Sequence, residues 1–180
     1  MSQLRSRIWK SANNIGIKSL SVFQQSSISS ILSNQNSVML SSPNSGKSTA
    51  YVLALCEQIS QGRGSTNYLA DSTGSSLFSK PAPFSSSPVH GALVLVPTQE
   101  LSLQIYKKFR QIAPWLNVFR ANNYLAEQAG SVKFLYFHIM DVLVATPTHL
   151  NEILEYRISK EMSSIAPKHI VIEQMDYLLE

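Results

Sequence analysis

The sequence predicts an α/β domain in which a parallel β-sheet carries helices on both faces. Three observations point there. The continuous apolar runs Ala92–Val96, Val142–Ala145 and Ile170–Ile172 read as strands buried on both faces. Helical spacing follows the first run in Leu101, Ile105, Phe109 and Ile112, and a further helix from about His149 to Tyr156 separates the other two. Strands alternating with helices form βαβ units, because parallel neighbours need a long crossover connection.

The elements before these follow the same logic. Phe23, Ile28, Ile31 and Leu32 lie at roughly helical spacing, and Asn34-Gln35-Asn36 then breaks the pattern. Val38-Met39-Leu40 reads as a short buried strand, followed by a turn-rich stretch from Ser41 to Ser45 and a helix from Gly46-Lys47-Ser48-Thr49 to about Ile59. Cys56 lies in that helix's apolar run and reads as a small core residue. Residues 60–90 turn to Ser, Gly and Pro without hydrophobic periodicity, the composition of a loop insertion. The reading is one domain over residues 16–180 behind an N-terminal extension of residues 1–15.

Bulk composition excludes several classes. Apolar residues make up 44% of the chain, as in ordinary globular domains, and charged residues only 14%. A net charge of +4 tilts the chain mildly towards polyanionic partners. Cys56 is the only cysteine, so no internal disulfide can form and a cysteine-based metal cluster is not expected. No run of about 18 apolar residues is present, so no membrane span is expected. Arg5, Arg7, Lys10 and Lys18 precede the first acid, Glu57, in a Ser-rich stretch that resembles a transit peptide. The ordered motifs begin by Gly16, which leaves little to cleave, so nucleus, cytoplasm and mitochondrion all stay open. His90, His138 and His169 lack metal-ligand spacing, and Trp115, Tyr136 and Phe137 read as core.

The most specific local signal is Ser41-Ser42-Pro43-Asn44-Ser45-Gly46-Lys47-Ser48, a P-loop pattern with Ser41 at the first glycine position. A tight turn after a strand aims backbone N–H groups and a helix N-terminus at phosphate oxygens. Lys47 would reach the β- and γ-phosphates and the Ser48 hydroxyl would ligate Mg²⁺, with Ser45, Gly46 and Thr49 completing the cradle. Asn44 can stand where glycine is usual because Asn tolerates positive φ. The expected ligand is a nucleotide with Mg²⁺.

Gly16-Ile17, Gln24, Ile28 and Ile31-Leu32, and then Pro97-Thr98-Gln99-Glu100-Leu101-Ser102-Leu103-Gln104, resemble the Q motif and the PTRELxxQ segment of the DEAD-box ATP-dependent RNA helicase family. Thr146-Pro147-Thr148-His149 resembles TPGR, Asn122-Asn123 falls near a glycine pair, and Ile172-Glu173-Gln174-Met175-Asp176 takes the place of the DEAD box. The order matches the family's. The resemblance implies a first RecA-like P-loop NTPase domain that binds ATP and Mg²⁺, with Gln24 reading the adenine edge. It implies RNA contacts at Pro97, Thr98, Gln99, Thr146, Pro147 and His149, catalytic positions at Glu173, Gln174 and Asp176, and Mg²⁺ held through Ser48 and Glu173.

The departures fall on working positions. Glu173 keeps a carboxylate but adds a methylene to the family's first acid. Gln174 replaces the water-polarising acid, and an amide can orient a water but cannot accept its proton. Gln99 and His149 replace arginines whose charged forks contact phosphates. The expectation is ATP–Mg²⁺ binding with impaired hydrolysis and modest, salt-sensitive RNA affinity. The chain ends four residues after Asp176, before the family's SAT segment, second RecA-like domain and arginine finger, so unwinding by this polypeptide alone is not expected. The alternative is a non-catalytic scaffold module, with a ribonucleoprotein assembly or a second RecA-like domain as partner.

Overall fold

A computed structural model describes residues 4–63, 91–121, 140–159 and 167–178. Its helices are α1 (Ser6–Asn14), α2 (Val22–Leu32), α3 (Lys47–Arg63), α4 (Gln99–Ile112), α5 (Pro147–Ser159) and α6 (Met175–Leu178). Its strands are β1 (Ala92–Leu95), β2 (Val118–Arg120), β3 (Val142–Ala145) and β4 (His169–Ile172), in the sheet order β2-β3-β1-β4. Every pairing is parallel, with Ala92 beside Val142 and His169, and Val118 beside Val142.

Alternation along the strands divides the core into two layers. Val94, Val142, Val144 and Val118 face α1, α3 and α4, where Ile8, Tyr51, Leu55, Ile105 and Phe109 are buried. Leu93, Leu143 and Ala145 face the opposite way, against Ile153 and Leu150 of α5. Both faces of the sheet are thus covered at β1 and β3, as their apolar runs require.

Local chemistry sets the helix ends. Ser21 and Gln24 form a reciprocal capping box at the start of α2. Thr98 caps α4 by accepting the Leu101 N–H, with Glu100 in the first turn and Arg110 in the last, both of favourable sign for the helix dipole. In α3 the run Ala50–Glu57 is buried without a break, the mark of a helix enclosed on all sides. Cys56 has no exposure, and burial pushes its thiol well above the usual range. No described helix is long and apolar enough to cross a membrane.

Four expectations need correction. Residues 6–14 form α1, whose Ile8 and Ala12 enter the main core, so the stretch expected to be an extension is packed into the domain. Burying a side chain such as Ile8 contributes about 1.5–3 kcal/mol. The expected strand at Val38–Leu40 is not formed, and Val38 and Leu40 are 78% and 85% exposed. A strand needs a hydrogen-bonding neighbour, and this segment pairs with none among the described residues. β4 is likewise an edge strand, not a buried one: Ile170 and Ile172 are exposed. Residues 60–63 of the expected loop continue α3, while 64–90, with His90, lie outside the described residues. So do Asn122-Asn123, Tyr136, Phe137 and His138.

Candidate functional site

All the singled-out residues beyond the P-loop and Gln24 follow the carboxyl ends of strands, where ligands bind in sheets of this kind. Thr98 and Gln99 follow β1, Thr146 to His149 follow β3, and Glu173 follows β4. They form two clusters.

The first surrounds the P-loop. Asn44 (φ 60°) and Gly46 (φ 87°) are both left-handed, which turns the chain tightly into α3. Lys47 Nζ folds back over the loop and donates to the carbonyls of Ser41 (2.7 Å) and Ser42 (3.1 Å). The Ser41 and Ser45 hydroxyls are 2.5 Å apart, so Ser41 ties the loop where glycine is usual. Gln24 Oε1 accepts the Ser21 N–H (2.9 Å), while Nε2 reaches the Gly46 carbonyl (3.5 Å). That capping box fixes the amide's orientation beside the loop, and Oε1 retains a second lone pair for another donor.

Glu173 closes this cluster from the far side. Its two carboxylate oxygens accept the hydroxyls of Ser48 and Tyr51. Glu173 is therefore held by a serine and by a buried tyrosine one turn along α3. Burial, then the Glu173 charge, push the Tyr51 hydroxyl well above its ordinary range. Lys108 of α4 donates to the Thr49 hydroxyl (3.4 Å); burial pushes its ammonium down and the Glu173 charge opposes that shift. Hard oxygen donors suit Mg²⁺, which is commonly held by few protein ligands while keeping several waters. Ser48 and Glu173 fit that requirement.

Two predicted catalytic positions do not join the cluster. Gln174 is exposed with φ 53°, its carbonyl accepting the Tyr177 N–H (3.0 Å). Asp176 is exposed in the first turn of α6 and bonds to none of the other site residues described.

The second cluster joins the segments after β1 and β3. Gln99 Nε2 approaches His149 Nδ1 (2.6 Å) and Thr146 Oγ1 (3.5 Å), and Thr146 Oγ1 is 2.8 Å from His149 Nδ1. Arg120, the last residue of β2, donates from Nη1 to Gln99 Oε1 (3.2 Å) and Ser102 Oγ (3.4 Å). Thr98 is engaged as the α4 cap, Pro97 immediately precedes it, and Pro147 is the first residue of α5. Sequence reasoning missed Tyr51, Lys108 and Arg120. Only Tyr51 carried a signal, its i+3 spacing from Ser48 on one helix face.

Comparison with known proteins bears on the fold and the family. The ATP-dependent RNA helicase DBP9 of Lodderomyces elongisporus is 23% identical over 96% of the chain, and the probable ATP-dependent RNA helicase ddx56 of Dictyostelium discoideum is 26% identical over 98%. The chain spans about a quarter of the length of these relatives, 26% and 23%. The RNA helicase Prp28 from Chaetomium thermophilum, solved with ADP, superposes with a TM-score of 0.70 at 22% identity, covering 98% of this chain and 38% of its own. A hypothetical ATP-dependent RNA helicase from Sulfolobus tokodaii gives 0.67 at 21% identity, covering 98% and 43%. These likenesses establish a RecA-like fold. The DEAD/DEAH box helicase model matches residues 21–180, from the cap of α2 to the last residue, and the chain therefore belongs to the DEAD/DEAH box helicase family.

Proposed function

We propose that the chain is the ATP-binding half of an RNA helicase, binding ATP–Mg²⁺ and RNA phosphates, with hydrolysis strongly slowed. The observation that carries this reading is the meeting of Ser48 with Glu173 beside Lys47: a hydroxyl, a carboxylate and an ammonium gathered at one P-loop. Lys47 would exchange the Ser41 and Ser42 carbonyls for phosphate oxygens, which are stronger, charged acceptors. Ser48 and Glu173 would hold Mg²⁺, whose charge neutralises the phosphates. Gln24 would present its amide to adenine, whose edge offers one donor and one acceptor.

Gln174 sets the limit on turnover. It can orient a water but not take its proton, and it is exposed on a left-handed backbone (φ 53°). One RecA-like domain cannot close over both ligands from two sides, so these residues alone would not unwind a duplex. The same Gln174 favours a second reading, a non-catalytic scaffold module that keeps its ligands and sits in a ribonucleoprotein assembly.

Calorimetric titration of the chain with ATP–Mg²⁺ tests the proposal, beside Lys47→Ala and Gln24→Ala. Binding abolished by both substitutions supports an adenine-nucleotide site, and no binding up to millimolar nucleotide rejects it. Gln174→Glu, joined to a second RecA-like domain, separates the readings. Restored ATP turnover marks a helicase half with one altered residue; continued inactivity favours the scaffold.

A further inference from the structure

We infer that Arg120 is the phosphate-contacting cation of the RNA face, and that Gln99 holds it in place without itself contacting the ligand. The inference rests on the proposed RNA-binding role of the cluster after β1 and β3. Within that cluster both ends of the Gln99 amide are engaged internally. Nε2 faces His149 and Thr146, and Oε1 accepts from Arg120. A glutamine bridged on both sides in this way acts as a bracket. It has little left to offer a phosphate.

Arg120 differs in every respect that matters. It is half-buried at the end of β2, in register with Val144, so it emerges at the same edge of the sheet as Thr146. Its contacts with Gln99 and Ser102 are both made by Nη1, and both acceptors are neutral. Among the described residues no ion pair neutralises it; the one found joins Arg5 to Glu57, and Glu100 in the first turn of α4 is exposed. A guanidinium carries five N–H donors, so Nε and Nη2 remain to form a fork.

Its location is also electrostatically unfavourable in isolation. α4 begins at Gln99 and α5 at Pro147, so the cluster lies at the positive ends of two helices. A cation there adds like charge to like, and no carboxylate relieves it among the described residues. An anion would satisfy the guanidinium and both helix ends together. The charge missing at Gln99 and His149 is thus carried by Arg120, one strand further out. The ligand chemistry is the phosphate backbone of an RNA strand.

The test measures anisotropy of a labelled oligouridine with the full chain across a salt series. Arg120→Gln keeps an amide donor for Gln99 and Ser102 but removes the charge; Arg120→Lys keeps the charge without the fork. Arg120→Gln should weaken binding several-fold and lower the slope of log K against log salt by about 0.7, the share of one contact to single-stranded nucleic acid. Arg120→Lys should keep the slope, and ATP–Mg²⁺ affinity should be unchanged in both. Binding by the parent that Arg120→Gln leaves unaltered in affinity and slope overturns this inference alone. Equal loss of slope in both variants also overturns it, since charge would not be the cause. A parent chain that binds no RNA removes the RNA reading with it, while the nucleotide titration stands separately.

Discussion

The Ser48 hydroxyl donates to the Glu173 carboxylate, a residue 125 positions later in the chain. That bond joins the start of α3 to the end of β4. With the Tyr51 hydroxyl on the other carboxylate oxygen, it satisfies a half-buried charge using neutral donors alone. A divalent ion therefore has to compete with two hydroxyls for Glu173.

Tyr51→Phe removes one of those competitors. Loss of a hydrogen bond to a charged group costs about 1.5–3 kcal/mol, which in a domain of this size lowers the thermal midpoint by roughly 3–12 °C. The freed oxygen should then take the ion more readily. The rise in midpoint on adding Mg²⁺ and nucleotide should be larger in Tyr51→Phe than in the parent. Identical midpoints without ligand would show that the bond does not contribute in solution.

Gly46 faces a different constraint. A Cβ there would overlap Gln24 Nε2 and lie 3.1 Å from its Cδ, so the Gln24 amide would have to swing away from the Gly46 carbonyl. The backbone also has φ +87°, where an L side chain is strained. Gly46→Ala should lower nucleotide affinity at least tenfold by calorimetry. Adding Gln24→Ala removes the overlap but not the strain, so the double variant should recover none of the lost affinity if Gln24 reads adenine. Recovery to the parent value would show that Gln24 only fills space.

Asn44 gives a smaller effect with a clear sign. Its φ of 60° is tolerated by Asn but costs a side chain such as Ala about 1–2 kcal/mol. Asn44→Ala should lower the urea midpoint, while Asn44→Gly should leave it nearly unchanged. Equal loss in both would assign the role to the Asn side chain and not to the backbone.

What was legible in the sequence was mostly local. α3 and α4 were visible as periodic apolar patterns, β1 and β3 as continuous apolar runs, and the P-loop as a backbone conformation set by neighbouring residues. β2 was missed because Val118-Phe119-Arg120 is too short to show alternation. α1 was missed because its two buried residues, Ile8 and Ala12, lie among basic and polar neighbours. Val38–Leu40 has the composition of a strand, but pairing is a property of two segments and one segment cannot reveal it. The same limit applies to the site. Tyr51 meets Glu173 across 122 positions, Lys108 meets Thr49 across 59 and Arg120 meets Gln99 across 21, and none of these distances leaves a trace in residue spacing.

The first turn of the chain supplies the last prediction. Glu57 is fully buried in α3, where its carboxylate accepts the Arg5 backbone N–H (2.8 Å) and Gln61 Nε2 (2.8 Å) and pairs with Arg5 Nε (3.2 Å). Arg7 stacks over Trp115 at 3.8 Å from the ring centroid, and Trp115 donates to Ser60 (3.2 Å), so the start of α1 is fastened at two points. Removing one partner of a buried ion pair costs about 3–5 kcal/mol. The Arg5 side chain is 54% exposed and two donors to Glu57 survive its loss, so Arg5→Ala should cost less, about 1–3 kcal/mol. Glu57→Gln in the same chain removes the uncompensated charge and should restore part of the lost stability in urea unfolding. A chain starting at Gly16 loses this pair together with Ile8 and Ala12, and should melt well below the full chain. If it melts at the same temperature, α1 is an appendage and the domain begins where the first motif does.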